Sequence, residues 1–410
     1  MKKFITRNQC HIMKGYLVRR RYLDRIGAGR GDCDVVKVIT GIRRSGKSVL
    51  MKLYREELIA SGVNESDIFY IDFESFSGRR IKNSEQLDAL IEPLIPENRT
   101  FYVLFDEIQN VKDWELTLAS LNSKGNCDVY ITGSNSEMLS SDLATHLSGR
   151  NVEIEVLPLS LKEFSVKNGY SDGDEAMRDY LKFGGFPGVD PSRGEEYCWD
   201  YLQGIFSTVV VKDVMRHSGI TDAEKIRSIA HFIQSNIGNI TNNDNVAKDL
   251  HISGATVGRY ISAMREAFLF YRCPKYDMVG RKLLKTNGKY YVTDLGMRNA
   301  ELGIAVGEDI SHSLENIVFL ELVRRGYDVR VGCYHDSEID FIAKRRGKVD
   351  YYQVCQTMMA EGTMDREIRP FTKTRDNRPK TILTLDRFGL GDHDGVNIIN
   401  LIDWLMDSDI

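Results

Sequence analysis

The segment GIRRSGKS, residues 41–48, constrains the fold of this chain more than any other feature of its 410 residues. It follows the apolar run VVKVIT (35–40) and opens a segment with helical spacing, SVLMKLYREELIA (48–60). A loop of the form G-x-x-x-x-G-K-S between a strand and a helix is the pattern that cradles nucleotide phosphates. The sequence therefore predicts that the chain is built around a phosphate-binding loop.

The chemistry of the loop follows from its residue types. Gly41 and Gly46 let the backbone turn so that its N–H groups point at phosphate oxygens. Lys47 places a positive charge on the β- and γ-phosphates, and Ser48 offers its hydroxyl to Mg²⁺. The helix that begins near Gly46 adds the positive end of its dipole. We expect the nucleotide to contact the whole loop, which comprises Gly41, Ile42, Arg43, Arg44, Ser45, Gly46, Lys47, Ser48 and Val49.

Two arginines inside the loop have no role in the phosphate-binding pattern. Arg43 and Arg44 stand at variable positions, so Lys47 and the backbone hold the phosphates without them. One of the two arginines could brace the loop, or contact a nucleotide or a partner across an interface. The alternative is a pair of charges that face solvent.

Apolar runs alternate with helical patterns through the first half of the chain. After the loop come the strand-like runs IFYIDFE (68–74), TFYVLFDE (100–107), CDVYITGSN (127–135) and VEIEVL (152–157). Alternating β and α elements indicate a parallel sheet that helices cover on both faces. The predicted fold class is α/β. It comprises a P-loop NTPase parallel sheet with helices on both faces, then a helical and winged-helix domain, then a mixed α/β nuclease-like domain.

Two acids end the run TFYVLFDE. Asp106 stands where a carboxylate can hold Mg²⁺, directly or through water. Glu107 follows it and can orient and deprotonate an attacking water, which favours hydrolysis over binding alone. The next run ends in TGSN (132–135), so Ser134 or Asn135 could reach the γ-phosphate or that water. No N/T-K-x-D signature for guanine stands in the expected place, and we therefore expect ATP and Mg²⁺ as the cofactors.

Arg150, in the segment HLSGR before the run VEIEVL, is a candidate arginine finger. A guanidinium near the γ-phosphate stabilises the charge of the transition state. Arg150 could act within its own chain or on a neighbouring subunit, and an ordinary surface arginine is the alternative. We expect a homo-oligomer, with a ring as one form.

Residues 245–271, NVAKDLHISGATVGRYISAMREAFLFY, have the spacing of a helix-turn-helix. Ser253 is the expected N-cap of the second helix, whose apolar side carries Val257, Tyr260, Ile261 and Met264. Two β-like runs follow and flank basic residues, which predicts a winged helix. Basic residues there would contact phosphates, and the candidate DNA contacts are Thr256, Arg259, Arg265, Arg281, Lys282 and Lys285. Winged helices also serve as protein-contact modules, which is the alternative to a DNA partner.

Several segments together resemble a widespread family of prokaryotic AAA-type ATPases. In that family a P-loop ATPase of the ASCE class precedes a domain of unknown function with a winged helix and a PD-(D/E)XK nuclease-like end. The segments are GIRRSGKS, FYVLFDEIQNVKDWE, ITGSNSEMLSSDLATHLSGR and VLPLSLKEF, then FGGFPGV, YYVTDLGMRNA, LENIVFLELVRRGYDVRV and EIDFIA. The resemblance spans about residues 22–405 and implies ATP binding and hydrolysis. It assigns the family's site residues to Lys47, Ser48, Asp106, Glu107 and Arg150.

The predicted organisation has five parts, which are a basic N-terminal extension (1–30), the P-loop ATPase core (31–160), a helical lid or linker (161–225), a winged helix-turn-helix domain (226–300) and a nuclease-like domain (301–410). The extension carries nine basic side chains and one acid. A positive arm of this kind can serve an anionic partner. The alternative is a solvated amphipathic helix.

The nuclease-like part departs from the pattern that metal-dependent cleavage requires. A PD-(D/E)XK nuclease needs an acid at the end of one strand and an acid-x-lysine on the next. Asp340 is the first acid, but Gln353 stands in the second acidic place and Cys355 in the place of the lysine. Cysteine cannot supply the cation. The sequence therefore predicts a degenerate nuclease site of Glu315, Asp340 and Gln353 in an inactive domain.

Charge and cysteine content indicate the cellular compartment that we expect for the chain. The formal net charge of −4 gives no nucleic-acid signature on average. Seven dispersed cysteines without a CxxC or Cys/His cluster argue against a zinc site and suit a reducing cytosol. No signal peptide or stretch of 18 apolar residues is present, so we expect a cytoplasmic protein without a membrane span.

Three functions are compatible with these motifs. The first is an ATPase that couples ATP turnover to DNA binding or remodelling. The second is a nucleotide-dependent switch that recruits protein partners in defence or regulation. The third is an ATP-gated, metal-dependent nuclease, against which the residues at positions 353 and 355 argue.

Overall fold

The computed structural model describes residues 11–13, 15–136, 149–215, 218–304 and 309–407, with only the backbone at 11–13 and 285–287. It divides into two compact units. The first comprises the described residues up to Leu157 together with 266–268, and the second comprises those of Pro158–Arg265 and those from Leu269 onward. No helix in the part of the chain that is described is long and apolar enough to cross a membrane.

The first unit contains a five-stranded parallel sheet. A separate hairpin precedes it, formed by β1 (His11–Met13) and β2 (Tyr16–Val18). The five strands of the sheet are β3 (Val36–Thr40), β4 (Ile68–Asp72), β5 (Phe101–Asp106), β6 (Cys127–Thr132) and β7 (Asn151–Glu155). The order in the sheet is β4-β5-β6-β3-β7, and every pair is parallel. The predicted parallel sheet is confirmed, and all the carboxyl ends of its strands lie at one edge.

Four helices cover the two faces of this sheet: α1 (Arg20–Gly27), α2 (Lys47–Ala60), α3 (Ser84–Ile91) and α4 (Trp114–Lys124). Successive residues of a strand point to opposite faces. Ile39 therefore packs in one hydrophobic cluster with buried side chains of α1 and α2, whereas Val38 packs in the other with those of α3 and α4. Helices on both faces are what the alternating sequence pattern predicted.

Part of the predicted basic extension lies in the core of the first unit. Tyr22, Leu23 and Ile26, on one side of α1, are buried in the same cluster as α2. Arg20, on the outer side, pairs with Glu57. Residues 20–27 are therefore an amphipathic helix of the first unit, and the basic residues within 1–10 and Lys14 lie outside the described residues.

The second unit is organised around one nine-stranded mixed sheet. Its strands are β8 (Ile240–Thr241), β9 (Phe270–Asp277), β10 (Lys282–Val292), β11 (Asp328–Cys333), β12 (Glu338–Arg345), β13 (Lys348–Cys355), β14 (Lys380–Thr384), β15 (Gly391–His393) and β16 (Val396–Asn400). Their order is β15-β16-β14-β13-β12-β11-β9-β10-β8.

This sheet joins two parts that the sequence predicted as separate domains. The β9–β10 hairpin belongs to the segment 226–300, and β11 belongs to the segment 301–410. Strand β9 pairs in parallel with β11, with Val331 opposite Lys275. Pairing of this kind satisfies backbone groups that a free hairpin edge would leave exposed. The boundary at residue 300 is therefore not a break between two folded units.

Helices of the second unit flank this sheet and fill the segment before it. They are α5 (Leu161–Asn168), α6 (Gly173–Phe183), α7 (Glu195–Thr208), a π-helical turn (Val209–Met215), α8 (Ala223–Ser235), α9 (Asn243–Asp249), α10 (Gly254–Glu266), α11 (Leu295–Leu302), α12 (Ile310–Arg324), α13 (Thr363–Thr372) and α14 (Leu401–Met406).

A buried carboxylate connects two of the glycine-containing motifs in the second unit. Asp294 caps α11 by accepting from the Met297 backbone N–H at 2.9 Å, and its other oxygen accepts from the Gly185 N–H at 2.6 Å. Burial raises the pKa of Asp294 to about 6, although these backbone donors favour the charged form. The side chain is only 3% exposed. Ionisation of this group therefore opposes folding.

Replacing Asp294 by asparagine is expected to remove part of the pH dependence of unfolding. An unfolded aspartate titrates near pH 3.9, so the folded chain loses stability as the pH rises from about 4 through about 6. A shift of about two pKa units corresponds to about 3 kcal/mol. In urea unfolding between pH 4 and 8, the wild-type free energy of unfolding should fall by about that amount relative to Asp294→Asn. A difference between the two proteins that is independent of pH would contradict the assignment.

Candidate active site

The phosphate-binding loop connects the carboxyl end of β3 to the start of α2. Gly46 is the N-cap of α2 and has a φ of +104°, and Gly41 has a φ of +134°. A Cβ atom at Gly41 would lie 2.3 Å from the backbone oxygen of Val156. Glycine is therefore required at Gly41 both by the backbone conformation and by the close approach of a neighbouring segment.

The Lys47 side chain is buried inside the loop. Its Nζ donates to the backbone oxygens of Gly41 at 2.9 Å and Ile42 at 3.1 Å, and it lies 3.8 Å from Oε1 of Glu107. Lys47 is only 3% exposed. The ammonium group is therefore held between the loop and the acidic end of β5.

Asp106 collects three hydroxyl groups at the carboxyl edge of the sheet. Its Oδ1 accepts from Thr132 Oγ1 at 2.6 Å and from Ser48 Oγ at 3.1 Å, and its Oδ2 accepts from the Tyr70 hydroxyl at 3.2 Å. Burial raises the pKa of Asp106, and the neighbouring charge of Glu107 acts in the same direction. Because carboxylate and hydroxyl oxygens are the ligands that Mg²⁺ prefers, Asp106 and Ser48 fit a magnesium ion.

Glu107 has a left-handed backbone conformation, with a φ of +58°. Its N–H donates to Thr132 Oγ1 at 2.9 Å, and its carboxylate Oε2 accepts from Gln109 Nε2 at 2.5 Å. Left-handed residues other than glycine cost about 1–3 kcal/mol and cluster at functional sites. The strained turn directs the Glu107 carboxylate to the side of Lys47.

Thr132 and Gln109 were not predicted from the sequence, although both hold the two acids. Thr132 bonds to the Asp106 side chain and to the Glu107 backbone through one hydroxyl. The position of Thr132 in the sequence could have indicated this contact, because Thr132 is the last residue of β6 and β6 lies beside β5. Gln109 had no such signal, because only the turn after Glu107 brings its amide back to the carboxylate.

The predicted polar residues after β6 are buried close to this turn. Ser134 and Asn135 are less than 3% exposed. Gln109 Nε2 lies 3.5 Å from Ser134 Oγ, at the outer limit of a hydrogen bond. Ser134 is thus brought to the site, and a catalytic role for Asn135 stays a prediction.

The arginines of the loop have different surroundings. Arg43 forms an ion pair with Glu74 at 3.0 Å, so it braces the loop against the segment that follows β4. Arg44 has a left-handed φ of +67°. A further arginine, Arg19, is buried and donates from Nη1 to the Ser45 backbone oxygen at 3.1 Å. The sequence placed Arg19 in the basic extension and did not indicate this contact.

Arg150 lies at the amino ends of the strands, whereas the phosphate-binding loop lies at their carboxyl ends. Strands β7 and β3 run parallel, with Asn151 opposite Val36, and the Val36 N–H donates to the Arg150 backbone oxygen at 3.0 Å. The loop begins only after Thr40, about 13 Å further along the strand at 3.3 Å per residue. The backbone of Arg150 therefore lies at the amino end of β7, away from the loop of its own chain, and a role for Arg150 as an arginine finger stays a prediction.

The predicted helix-turn-helix corresponds to α9 and α10. Val257, Tyr260, Ile261 and Met264 are buried, whereas Arg259 and Arg265 are exposed and Thr256 is partly exposed. The Ser253 hydroxyl accepts from the Thr256 N–H at 3.1 Å, which caps the second helix. Arg281 and Lys282 are exposed at the turn and start of the β9–β10 hairpin, and the side chain of Lys285 lies outside the described residues.

The residues of the predicted nuclease-like site are brought together around an unexpected lysine. Lys289 Nζ lies 2.7 Å from Glu338, 3.2 Å from Glu315 and 3.9 Å from Asp340. The Gln353 side-chain oxygen accepts from the Asp340 N–H at 3.2 Å. Sequence reasoning missed Lys289 because it lies on β10, in the segment predicted as the wing. Among the described residues, no group of three or more His, Cys, Asp or Glu side chains is arranged to hold a metal ion.

Comparison with known domains and solved structures gives two kinds of match. An AAA domain matches residues 34–165, and a domain of unknown function, DUF8612, matches residues 174–307. AMPPCP-bound DnaA from Aquifex aeolicus is 13% identical, covering 62% of this chain and 89% of that one with a TM-score of 0.30. The Aeropyrum pernix ORC1 protein in complex with DNA is 12% identical, covering 69% and 91% with a TM-score of 0.32.

Two relatives match nearly the whole chain. An uncharacterized protein of Haemophilus influenzae is 38% identical over 403 residues, which are 96% of this chain and 99% of that protein. The uncharacterized protein MJ1544 of Methanocaldococcus jannaschii is 32% identical over 364 residues, covering 82% and 78%. Together with the AAA domain and the geometry of the phosphate-binding loop, these matches show that the chain belongs to the family of nucleotide-binding, AAA-type ATPases that includes these two proteins.

Proposed function

We propose that the chain hydrolyses ATP with Mg²⁺ at the carboxyl edge of the first sheet and couples this turnover to DNA binding or remodelling. The observation that carries the proposal is the convergence of four residues as two contacting pairs at the phosphate-binding loop, Lys47 with Glu107 and Ser48 with Asp106. These are the residue types that phosphoryl transfer to water requires.

Each of these residues has a separate task in the proposed reaction. Backbone N–H groups of the loop and the Lys47 ammonium bind the β- and γ-phosphates. Ser48 and Asp106 would hold Mg²⁺, which neutralises charge on the phosphate oxygens when it is bound. Glu107 orients the attacking water and accepts its proton. Thr132 positions both acids through one hydroxyl group, so that they keep a fixed separation.

The DNA contacts are proposed for the exposed side of α10 and the tip of the β9–β10 hairpin. Arg259 and Arg265 are exposed on the helix, and Arg281 and Lys282 are exposed on the hairpin. This pattern is that of a winged helix, in which the second helix enters a groove and the hairpin contacts the backbone. Basic residues in these places bind phosphates and make the affinity depend on salt.

Arg150 enters the proposal only as a residue that acts between subunits. Its exposed side chain lies at the edge of the sheet away from the loop of its own chain. In a homo-oligomer such as a ring, this edge could face the γ-phosphate of a neighbour. The assembly is part of the proposal, as is the role of Arg150.

DNA is expected to stimulate ATP turnover in the wild type, and Lys47→Ala is expected to abolish turnover with and without DNA. The rate should be measured with duplex, junction and single-stranded DNA at several salt concentrations. Lys52→Ala removes an exposed lysine from the same helix and serves as the matched control. Turnover that no DNA changes would refute the coupling to DNA and favour a switch that recruits proteins. Turnover retained by Lys47→Ala would refute the proposed ATP site.

A further inference from the structure

The second unit contains a cleft of about 880 Å³ on one face of its nine-stranded sheet. Side chains from β9, β11, β12 and β13 form its floor, and the end of α13 with the segment that follows it forms one wall. No described residue of α10 lines the cleft, whereas Arg281, at the tip of the β9–β10 hairpin, does. Its volume is within the range of about 300–1,000 Å³ that is typical of ligand sites.

The lining of the cleft is strongly basic. Its only acid is Asp376, and its six basic residues are Arg281, Arg330, Lys344, Lys373, Arg375 and Arg378. Asp376 already accepts a hydrogen bond from the Tyr351 hydroxyl at 2.9 Å and lies 3.6 Å from Arg378. The cleft therefore carries a large excess of positive charge in a chain whose formal net charge is −4.

Half of these cations are available for a ligand. Arg330, Lys373 and Arg378 are engaged by Asp328, Asp336 and Asp376 respectively. Arg281, Lys344 and Arg375 are exposed, and their side chains form no ion pair or hydrogen bond with any residue that the structure describes. Three unpaired cations at the rim of one cavity are an anion-binding arrangement.

Aromatic rings alternate with the cations. Arg330 lies 5.9 Å from the ring centre of Tyr276, and Lys373 lies 5.7 Å from that of Tyr334. Both tyrosines are partly exposed, and Val279 beside them is 77% exposed. Tyr351 is buried and forms part of the floor. Both tyrosines also pack against the hydrophobic core of this sheet, so only their exposed parts border the cleft. These exposed parts are where a base can stack, with cations placed to meet phosphates.

We propose that this cleft binds single-stranded nucleic acid, with bases on Tyr276 and Tyr334 and phosphates on Arg281, Lys344 and Arg375. A duplex keeps its bases stacked inside, where tyrosine faces in a cavity cannot reach them, whereas an unpaired strand can turn its bases outward. Sites that combine a basic groove with aromatic platforms bind single strands without strong sequence preference. The proposal goes beyond the proposed function, because it assigns a second nucleic-acid site that binds its strand without ATP.

The test is binding of labelled single strands to the full chain in the absence of ATP. Fluorescence anisotropy would be measured with dT20, U20 and a blunt duplex of the same length. The double variant Lys344→Ala, Arg375→Ala removes the two unpaired cations that are not also proposed DNA contacts of the hairpin. A matched double variant, Lys52→Ala, Arg79→Ala, removes the same charge from exposed positions outside the cleft.

We expect the cleft variant to weaken single-strand binding by about tenfold or more, and the control variant to have a much smaller effect. The salt dependence should also fall, because each lost phosphate contact on a single strand lowers the slope of log K against log salt by about 0.7. Tighter binding of dT20 or of U20 would identify DNA or RNA as the preferred source of the strand. Equal weakening by the two double variants, or a loss of duplex binding in the cleft variant as large as its loss of dT20 binding, would overturn the proposal.

Photocrosslinking tests the stacking independently of any variant's stability. Strands that carry 4-thiothymidine or 4-thiouridine should crosslink to Tyr276 or Tyr334 in the wild type, as mapped by mass spectrometry. Crosslinks confined to α10 would overturn the cleft and favour the helix-turn-helix as the only nucleic-acid site. The two proposals can fail separately. If no DNA stimulates ATP turnover but the cleft still binds single strands, the coupling of turnover to DNA is refuted and the cleft proposal stands.

Discussion

Glu107→Gln is expected to reduce ATP turnover by about 10²- to 10⁴-fold, the range in which loss of a general base falls. ATP binding should change little, because the loop and Lys47 remain intact. Glutamine has nearly the same shape and can still bond to Gln109, but it cannot accept a proton from water. Single-turnover hydrolysis and nucleotide affinity, measured on the same preparation, separate the two effects.

Two comparisons make this result specific. Glu85→Gln changes an exposed glutamate on α3 and should leave the rate unchanged. Lys47→Ala should instead lose both affinity and rate, since it removes a contact to the phosphates. If Glu107→Gln keeps more than about a tenth of the wild-type rate, the base lies elsewhere.

The four central residues of this site could be predicted from the sequence because each is tied to a strand end. The glycine-rich loop fixes the end of β3, and the acids Asp106 and Glu107 fix the end of β5. In a parallel sheet these ends meet at one edge, so Lys47 and Glu107 lie 3.8 Å apart although 60 positions separate them. Gln109 could not be predicted in this way, because its position depends on one strained turn.

The argument from strand ends also bears on Arg150, because residues at the amino ends of parallel strands lie away from those at the carboxyl ends. The sequence placed Arg150 directly before a strand, and the amino end of a parallel strand lies at the edge away from the loop. The direction of β7 therefore argues against a role for Arg150 in its own chain. A role between subunits depends on a neighbouring chain, which a single sequence does not describe.

The second unit was harder to predict because its sheet is assembled from distant segments. The pairing of β9 with β11 places Lys275 opposite Val331. No local sequence pattern predicts a parallel pairing between strands so far apart in the chain. The same pairing brings β10 beside the helix that carries Glu315. Lys289 thereby reaches a cluster of acids that the sequence assigned to another domain.

Lys289 is the cation of this cluster. Its side chain is 4% exposed, that of Asp340 is 8% exposed and that of Glu315 is 12% exposed. Burial lowers the pKa of Lys289, but the charges of Glu315, Asp340 and Glu338 outweigh it and raise the pKa overall. Burial raises the pKa of Asp340, and the charge of Glu315 raises it further. The ammonium therefore compensates carboxylates that would otherwise repel one another.

Lys289→Met is accordingly expected to destabilise the chain by about 3–5 kcal/mol, the usual effect of removing one partner of a buried ion pair. The loss should be largest near neutral pH and should shrink in acid, because protonation of Asp340, whose pKa is raised, removes negative charge from the cluster. Lys289 itself contributes stability below the pKa of an unfolded lysine, about 10.4, and loses it as the pH rises through its raised folded value. Urea unfolding at pH 4 and pH 7 measures the difference between acid and neutral pH, and unfolding at about pH 11 measures the loss at high pH. Lys348→Met is the control at an exposed lysine.

The same variant separates a structural lysine from a catalytic one. If Lys289 only balances the acids, wild type and variant should both leave plasmid DNA intact in Mg²⁺ or Mn²⁺. Nicking by the wild type that disappears in Lys289→Met and in Asp340→Ala, with no loss of stability in the lysine variant, would show that Lys289 supplies the cation that Cys355 cannot. The inactive domain predicted from positions 353 and 355 would then be wrong, because a nuclease needs its cation near the carboxylates and not on a particular strand.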